Sequence, residues 1–282
     1  MRASRFLLVP FVAFAAACTQ KLETDAELIA RAGAPLFTGM GEFHRVITTK
    51  DAGAQRYFDQ GMVLAFGFNH AESIRSFRAA QKLDPDCAMC FWGEALATGP
   101  NINVTAKGKA IMSADEQTAA WAALEKAKAV SASKPEVERD LIDALGKRYS
   151  ASAVEDRTAF DLAYANALGA LVTKYADDDD IAAMYGEAWM NTMPWNYWSD
   201  ATTPRSEIAP VIAALEKTIA RSPKHPLALH LYIHAMEASA APEKAEAASD
   251  TLLTLVPGSG HLVHMPAHIY YRVGRYNDSV QA

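Results

Sequence analysis

The sequence predicts an all-α protein. Half of the 282 residues are hydrophobic and only 21% are charged, so the chain has enough apolar surface to build a core. Helix-start signals and turn residues recur along it, whereas no run of alternating β-branched residues predicts a strand. The net charge of −6 offers no basic surface, so we expect no binding to nucleic acid.

The N-terminal residues have the composition of an export signal. Arg2 and Arg5 precede an apolar run over residues 6–17, which is the order of a secretory signal peptide. The run is shorter than the roughly 20 residues that a helix needs to cross a bilayer. The sequence therefore predicts a cleaved signal peptide over residues 1–17 and no permanent membrane span.

The residues at the end of this signal allow two cleavage interpretations. Ala15, Ala16, Ala17 and Cys18 resemble a bacterial lipobox, in which Cys18 becomes the lipidated N-terminus, although Ala15 stands where that motif usually has Leu. Ala15 and Ala17 also fit an ordinary signal-peptidase site. Both interpretations predict an exported protein, either periplasmic or a lipoprotein of a bacterium whose only membrane contact is the lipid on Cys18.

Helices are predicted along the chain after an N-terminal extension over residues 18–52. Ser113 and Glu116 form a capping box that opens an alanine-rich helix to about Val130. Pro135 is suited to the first turn of a helix that runs to about Tyr149. Further helices are predicted over residues 155–175, 180–192 and 206–221.

A spacing of 34 residues relates several of these helices. Between Ala54 and Cys87, large residues, small residues and a final proline occur at regular places: Tyr57, Gly61, Leu64, Ser73, Phe77, Ala80 and Pro85. This spacing resembles the tetratricopeptide repeat (TPR), with Gln60 standing where that pattern has Leu. Stretches beginning at Pro226 and Gly260 follow the same phase. The resemblance implies an α-solenoid of antiparallel helix pairs over residues 53–282, degenerate in its centre.

The last of these repeats stops at Ala282, inside its expected second helix. Solenoids need a polar terminal element to cover their last apolar face. We therefore expect the sequence to be truncated at its C-terminus.

Two pairs of histidines recur at the same place in consecutive repeats. His230 and His234 are spaced i, i+4, as are His264 and His268, and the pairs are 34 residues apart. Neighbours at i and i+4 share a helix face, so each pair can offer two imidazoles to one ion. The TPR resemblance implies that these histidines line a concave groove, together with His261, Glu237, Tyr271 and Arg272.

The four paired histidines and Glu237 form a candidate metal site. Imidazoles with one carboxylate suit a transition metal, zinc or copper before others. Glu237 would be a further ligand, or a base acting on metal-bound water. The residues between the histidines do not form HExxH, so no zinc peptidase is predicted. The alternative is that the histidines bind a peptide carboxylate or water.

Pro266 leaves the course of the second histidine-bearing helix open, because this helix either begins near Met265 or bends there.

Two further features are candidates. Cys87 and Cys90 are predicted to form a local disulfide or to remain as two buried thiols, in keeping with an oxidising compartment. Trp195 and Trp198 lie in an aromatic insertion over residues 193–204, which would either cover a ligand in the groove or pack as core.

These observations leave two functions open. The TPR resemblance implies an exported solenoid that binds a protein or peptide partner in its concave groove at the cell envelope. The histidines suggest a metal-binding protein or metalloenzyme that uses the same groove. A binding protein is favoured over an enzyme, because no catalytic motif accompanies the histidines.

Overall fold

The computed structural model describes residues 23–282, so the predicted signal peptide and Cys18 lie outside the described residues. The all-α prediction is confirmed for the described part of the chain. The helices are α1 Asp25–Ala32, α2 Ala52–Phe66, α3 His70–Leu83, α4 Ala88–Ala97, α5 Ala114–Ala129, α6 Glu136–Leu145, α7 Thr158–Lys174, α8 Asp179–Thr192, α9 Ala209–Arg221, α10 Pro226–Met236, α11 Glu246–Leu255, α12 Gly260–His264, α13 Pro266–Arg272 and α14 Tyr276–Gln281. A 3₁₀ turn, Pro242–Ala245, precedes α11. Within residues 23–282, no helix is long and apolar enough to cross a membrane.

Two short antiparallel hairpins interrupt the helices. One pairs β1 Thr105–Ala106 with β2 Lys109–Ala110, and the other pairs β3 Trp198–Asp200 with β4 Thr203–Pro204. The second lies in the aromatic insertion, for which the sequence predicted no strand. Strands of two or three residues leave no periodic pattern long enough to read.

Helices that follow one another in sequence pack on one another. Helix α2 contacts α3 and α4, α8 contacts α7 and α9, and α13 contacts α11 and α14. The Phe77 ring lies against two glycines: a Cβ on Gly61 would come within 2.8 Å of it, and one on Gly93 within 2.3 Å. A small residue opposite a large one lets neighbouring helices approach closely.

Helix α10 is the most enclosed element near the candidate site. All of its residues, from Pro226 to Met236, are buried. It contacts α2, α8, α9, α11 and α13. A helix that is apolar all round is expected in a protein interior. Its histidines are therefore held inside the protein and are not on an open groove.

The irregular segment between α1 and α2 is bound by polar side chains of α2. Gln60 Oε1 accepts a hydrogen bond from the backbone N–H of Phe37 at 2.7 Å, and Gln60 Nε2 donates to the carbonyl of Pro35 at 3.0 Å. Gln55 binds the backbone N–H of Ile47 and the carbonyl of Arg45 in the same way, at 3.0 and 2.8 Å. Gln60, which departs from the TPR pattern, therefore serves to hold this segment.

Candidate functional site

Three histidine side chains converge in the interior of the protein. His230 and His234 come from α10, and His261 comes from α12. One ring nitrogen of each residue lies within 4.8 Å of the other two. No other group of three or more potential metal ligands this close together is found among residues 23–282. We call these three residues the histidine cluster.

The tautomer of His230 follows from its hydrogen bond. Its Nδ1 lies 2.7 Å from the backbone carbonyl oxygen of Phe66. A carbonyl oxygen can only accept, so Nδ1 carries the hydrogen and Nε2 presents a lone pair. That Nε2 lies 3.1 Å from Nε2 of His261. A backbone carbonyl that orients an imidazole in this way is also the usual outer partner of a metal-bound histidine.

His234 is buried without any hydrogen bond. Its exposed fraction is 2%, and neither ring nitrogen has a partner among the described residues. Its ring centroid lies 4.7 Å from that of His230 and 6.1 Å from that of His261. A buried polar group without a partner costs about 1–3 kcal/mol, so such groups are rare in folded proteins.

Burial keeps the cluster neutral at physiological pH. Desolvation lowers the pKa of His230 to about 3 and that of His261 to about 4, with neighbouring histidines adding to both effects. The pKa of His234 lies well below its ordinary value, for the same reasons. Neutral imidazole is the form that binds metal ions.

A carboxylate and a fourth histidine lie at the edge of the cluster. Oε2 of Glu237 is 3.3 Å from Nδ1 of His268 and 3.9 Å from Nδ1 of His234. The interaction with Glu237 raises the pKa of His268, whereas burial acts in the opposite direction. Glu237 therefore holds His268 next to the histidine cluster and is itself within reach of an ion bound there.

Two aromatic rings cover the histidine cluster. The Phe68 ring lies 4.7 Å from His230 and 5.0 Å from His261, and the Trp195 ring lies 5.0 Å from His234, measured between centroids. Phe68 and Trp195 have positive φ angles of 55° and 63°. Such backbone is unfavourable for bulky residues, and strained residues of this kind cluster at functional sites. The sequence predicted that Trp195 would either cover a ligand or pack as core, but no signal in it pointed to Phe68.

Of the other predicted site residues, three are exposed and one packs against α10. His264 is exposed, with its ring 4.9 Å from that of His268. Tyr271 and Arg272 are also exposed and lie outside the histidine cluster. The Trp198 Nε1–H donates to the carbonyl of Ala235, which packs this side chain onto α10. Of the four predicted ligands, His230 and His234 converge, together with His261, whereas His264 is exposed and His268 lies at the edge of the cluster.

Pro266 divides the helix that carries these histidines, although the rings of His264 and His268 stay 4.9 Å apart. The chain forms α12 up to His264 and α13 from Pro266, with Met265 between them. Proline removes a backbone hydrogen bond and kinks a helix. His264 and His268 are therefore not on one continuous helix.

The two cysteines lie away from the histidine cluster. Cys87 and Cys90 are buried at the start of α4 and joined by a disulfide. They are not free thiolates, so the candidate ligands of the cluster are nitrogen and oxygen atoms.

Comparison with models of known protein families finds no match, and comparison with curated proteins finds none either. The class of the protein is therefore defined by its own fold and site. It is a helical protein with an internal cluster of three neutral histidines beside a carboxylate.

Proposed function

We propose that this protein binds a transition-metal ion through His230, His234 and His261. The observation that carries the proposal is His234, whose two ring nitrogens are buried without a partner beside two other imidazoles. An ion bound to one of these nitrogens would supply an interaction that the protein itself does not provide.

The spacing of the nitrogens supports the same proposal. Two nitrogens bound to one tetrahedral ion at about 2.0–2.1 Å are about 3.3 Å apart. Nε2 of His230 and Nε2 of His261 are 3.1 Å apart. The three nitrogens lie within 4.8 Å of one another, so the most distant pair would have to approach by up to about 1.5 Å to bind one ion.

The chemistry of the ligands limits the ion. Imidazole nitrogens suit zinc, copper, iron and nickel. The described cysteines form a disulfide, so no thiolate is present to favour a soft ion such as Cu(I). Three histidines leave a fourth position of a tetrahedral ion free, as in catalytic zinc sites. Oε2 of Glu237 is 3.9 Å from Nδ1 of His234, so Glu237 would serve as a fourth ligand or as a base beside a bound ion.

The proposed setting is the bacterial cell envelope. The 34-residue spacing and the packing of successive helices support a TPR-like solenoid. The composition of residues 1–17 supports export, with Cys18 as the site of a lipid anchor or the first residue of a periplasmic chain. Trace metals in that compartment would then be the ions available to the histidine cluster.

Metal analysis with two single substitutions tests the proposal. Protein purified without a histidine tag is expected to hold one equivalent of a transition metal, measured by plasma mass spectrometry. His261→Ala is expected to weaken metal binding at least about 100-fold, because it removes one of three ligands. His264→Ala is the matched control and is expected to retain the ion, since His264 lies outside the cluster.

Two results would contradict the proposal. One is wild-type protein that stays far below one equivalent after incubation with zinc or copper. The other is loss of metal in His264→Ala with retention in His261→Ala, which would favour the set of paired histidines. Circular dichroism of each variant checks that helicity is retained.

A second candidate function is binding of a peptide partner. The support is the segment between α1 and α2, because the bonds that Gln55 and Gln60 make to it reach backbone atoms, which any peptide could offer. A cavity of about 1080 Å³ lies beside Phe43 and Arg45 of this segment. A partner peptide would bind here and not at the histidine cluster, where His230 and His234 are buried.

A peptide of residues 34–50 tests this second function. Arg45→Ala removes the ion pairs of the segment with Asp178 and Asp180, at 2.9 and 2.6 Å, and so loosens it. The labelled peptide is expected to bind Arg45→Ala more tightly than wild type, and the further change Gln60→Ala is expected to abolish the difference. Fluorescence anisotropy measures the binding of the labelled peptide to the wild-type protein and to the two variants. Equal, negligible binding by all three proteins would contradict a peptide-binding role for this surface.

A further inference from the structure

A second cavity lies apart from the histidine cluster. It has a volume of about 440 Å³ and is enclosed by the β1–β2 hairpin, the start of α7 and the end of α8. No member of the histidine cluster lines it. Its size falls within the range of small-molecule sites, about 300–1,000 Å³.

Two buried side chains on its wall have polar atoms without partners. Asn191 is 2% exposed, and neither its Oδ1 nor its Nδ2 has a hydrogen bond among the described residues. Arg157 is 5% exposed, and its Nε is likewise without a partner. Because buried polar groups are nearly always paired, these atoms indicate a ligand that offers both acceptors and a donor.

The charges behind this wall favour an anion. Arg148 and Arg157 both contact the single carboxylate of Asp161, at 3.0 and 3.3 Å, and all three residues are buried. This group therefore carries one more positive than negative charge in a place where an uncompensated charge is costly. Glu187 also interacts with Arg148, but burial raises its pKa to about 7, so it is only partly ionised at neutral pH.

The rim of the cavity carries charges of both signs. Lys109 is paired with Asp156 at 3.1 Å, and Glu155 adds a second carboxylate. Lys107 is exposed on the turn of the hairpin, at a φ of 52°. These four rim charges cancel, so the attraction of an anion to this cavity depends on Arg157 at its wall and on Arg148 behind it.

We propose that this cavity binds a small organic carboxylate that carries a neighbouring hydroxyl or amino group. The carboxylate accepts hydrogen bonds from Nε of Arg157 and Nδ2 of Asn191, and the hydroxyl or amino group donates to Oδ1 of Asn191. This assignment gives each of the three unpartnered atoms a partner of the matching type. It does not depend on metal binding at the histidine cluster.

Matched ligands provide the test, with binding measured by titration calorimetry. Malate and aspartate each carry a donor next to a carboxylate, whereas succinate has the same chain without one. We expect malate or aspartate to bind the wild-type protein about 10-fold more tightly than succinate, the effect of one hydrogen bond to a buried group. Inorganic phosphate is expected to bind more weakly than either, because it cannot satisfy Asn191 and fill the cavity together.

Three variants distinguish a built site from a general attraction of anions. Asn191→Leu has a similar volume and removes the amide, so it is expected to abolish the preference for malate or aspartate over succinate. Lys107→Glu is expected to weaken binding of all the carboxylates. Lys244→Glu makes the same charge change on an exposed residue elsewhere and is expected to have no effect. Thermal melting checks that each variant is folded.

Three results would overturn the proposal. One is equal binding of malate, aspartate and succinate to the wild-type protein, and another is an unchanged preference in Asn191→Leu. The third is binding of phosphate as tight as that of malate, which would leave a surface cation site only. Should Asn191→Leu fail to fold, Lys107→Glu against Lys244→Glu still decides whether this cavity is the binding site.

Discussion

Acidification of the metal-free protein from pH 7 to pH 4 is expected to lower its free energy of unfolding by several kcal/mol. The pKa values of His230, His261 and His70 are lowered to about 3, 4 and 4, and that of His234 lies well below its ordinary value. An unfolded histidine titrates near pKa 6.5. Between these values the unfolded chain binds protons that the folded chain does not.

The sign of the effect follows from this difference. A group with a lowered pKa in the folded state stabilises the protein above the unfolded pKa, and this stability is lost as the pH falls. Each such histidine contributes a slope of about 1.4 kcal/mol per pH unit in that interval. His268 acts in the opposite direction, because its pKa is raised by Glu237. The net slope therefore reports mainly on the buried imidazoles.

Urea unfolding in the presence of a chelator at pH 7, 6 and 5 measures this slope. His230→Gln is expected to make it shallower by about 1.4 kcal/mol per pH unit, because one buried imidazole is removed. His44→Gln is the control, since the His44 side chain is 55% exposed. An unchanged slope in His230→Gln would mean that this histidine is not held neutral inside the folded protein.

Asp161→Asn is expected to destabilise the protein by about 3–5 kcal/mol, the cost of breaking a buried ion pair by removing one partner. Asp161 is the only carboxylate in contact with the guanidinium groups of Arg148 and Arg157 among residues 23–282. Each arginine makes one further hydrogen bond to a backbone carbonyl, of Pro100 and of Arg148 respectively. These neutral acceptors do not compensate two buried positive charges.

A nearby exposed ion pair provides the comparison for Asp161. Asp156→Asn removes the partner of Lys109, whose side chain is 56% exposed against 68% for Asp156. Exposed pairs contribute about 0–1 kcal/mol, so this change is expected to have a small effect. Equal destabilisation by the two substitutions, measured by urea unfolding at pH 7, would contradict the role assigned to Asp161.

Much of the fold could be predicted from short-range signals. The capping box of Ser113 and Glu116 is formed at the start of α5, where Ser113 Oγ accepts from the backbone N–H of Glu116. The close approach of Gly61 and Phe77 also follows from residues within one pair of helices. The capping box and the contact between Gly61 and Phe77 both involve residues that are close in sequence, so the spacing of residues along the chain is enough to predict them.

The composition of the histidine cluster could be predicted only in part. The i, i+4 spacing placed His230 and His234 on one face of α10, because that spacing is a property of any helix. The structure places His261 beside His230 and leaves His264 exposed, a choice that depends on how distant helices pack. Pro266 signalled a break but not which histidine would turn inward.

The sequence by itself determined the helical class of this protein, its helix starts and the pairing of histidines on one face, because these depend on contacts within a few residues. Only the tertiary structure decided that His230 would bind the carbonyl of Phe66, 164 residues away, and that His234 would be buried without a partner. It also decided that Asn191 and Arg157 would share one cavity. The physical reason is that burial, and with it the cost of an unpaired polar atom or a charge, depends on which distant segments pack together.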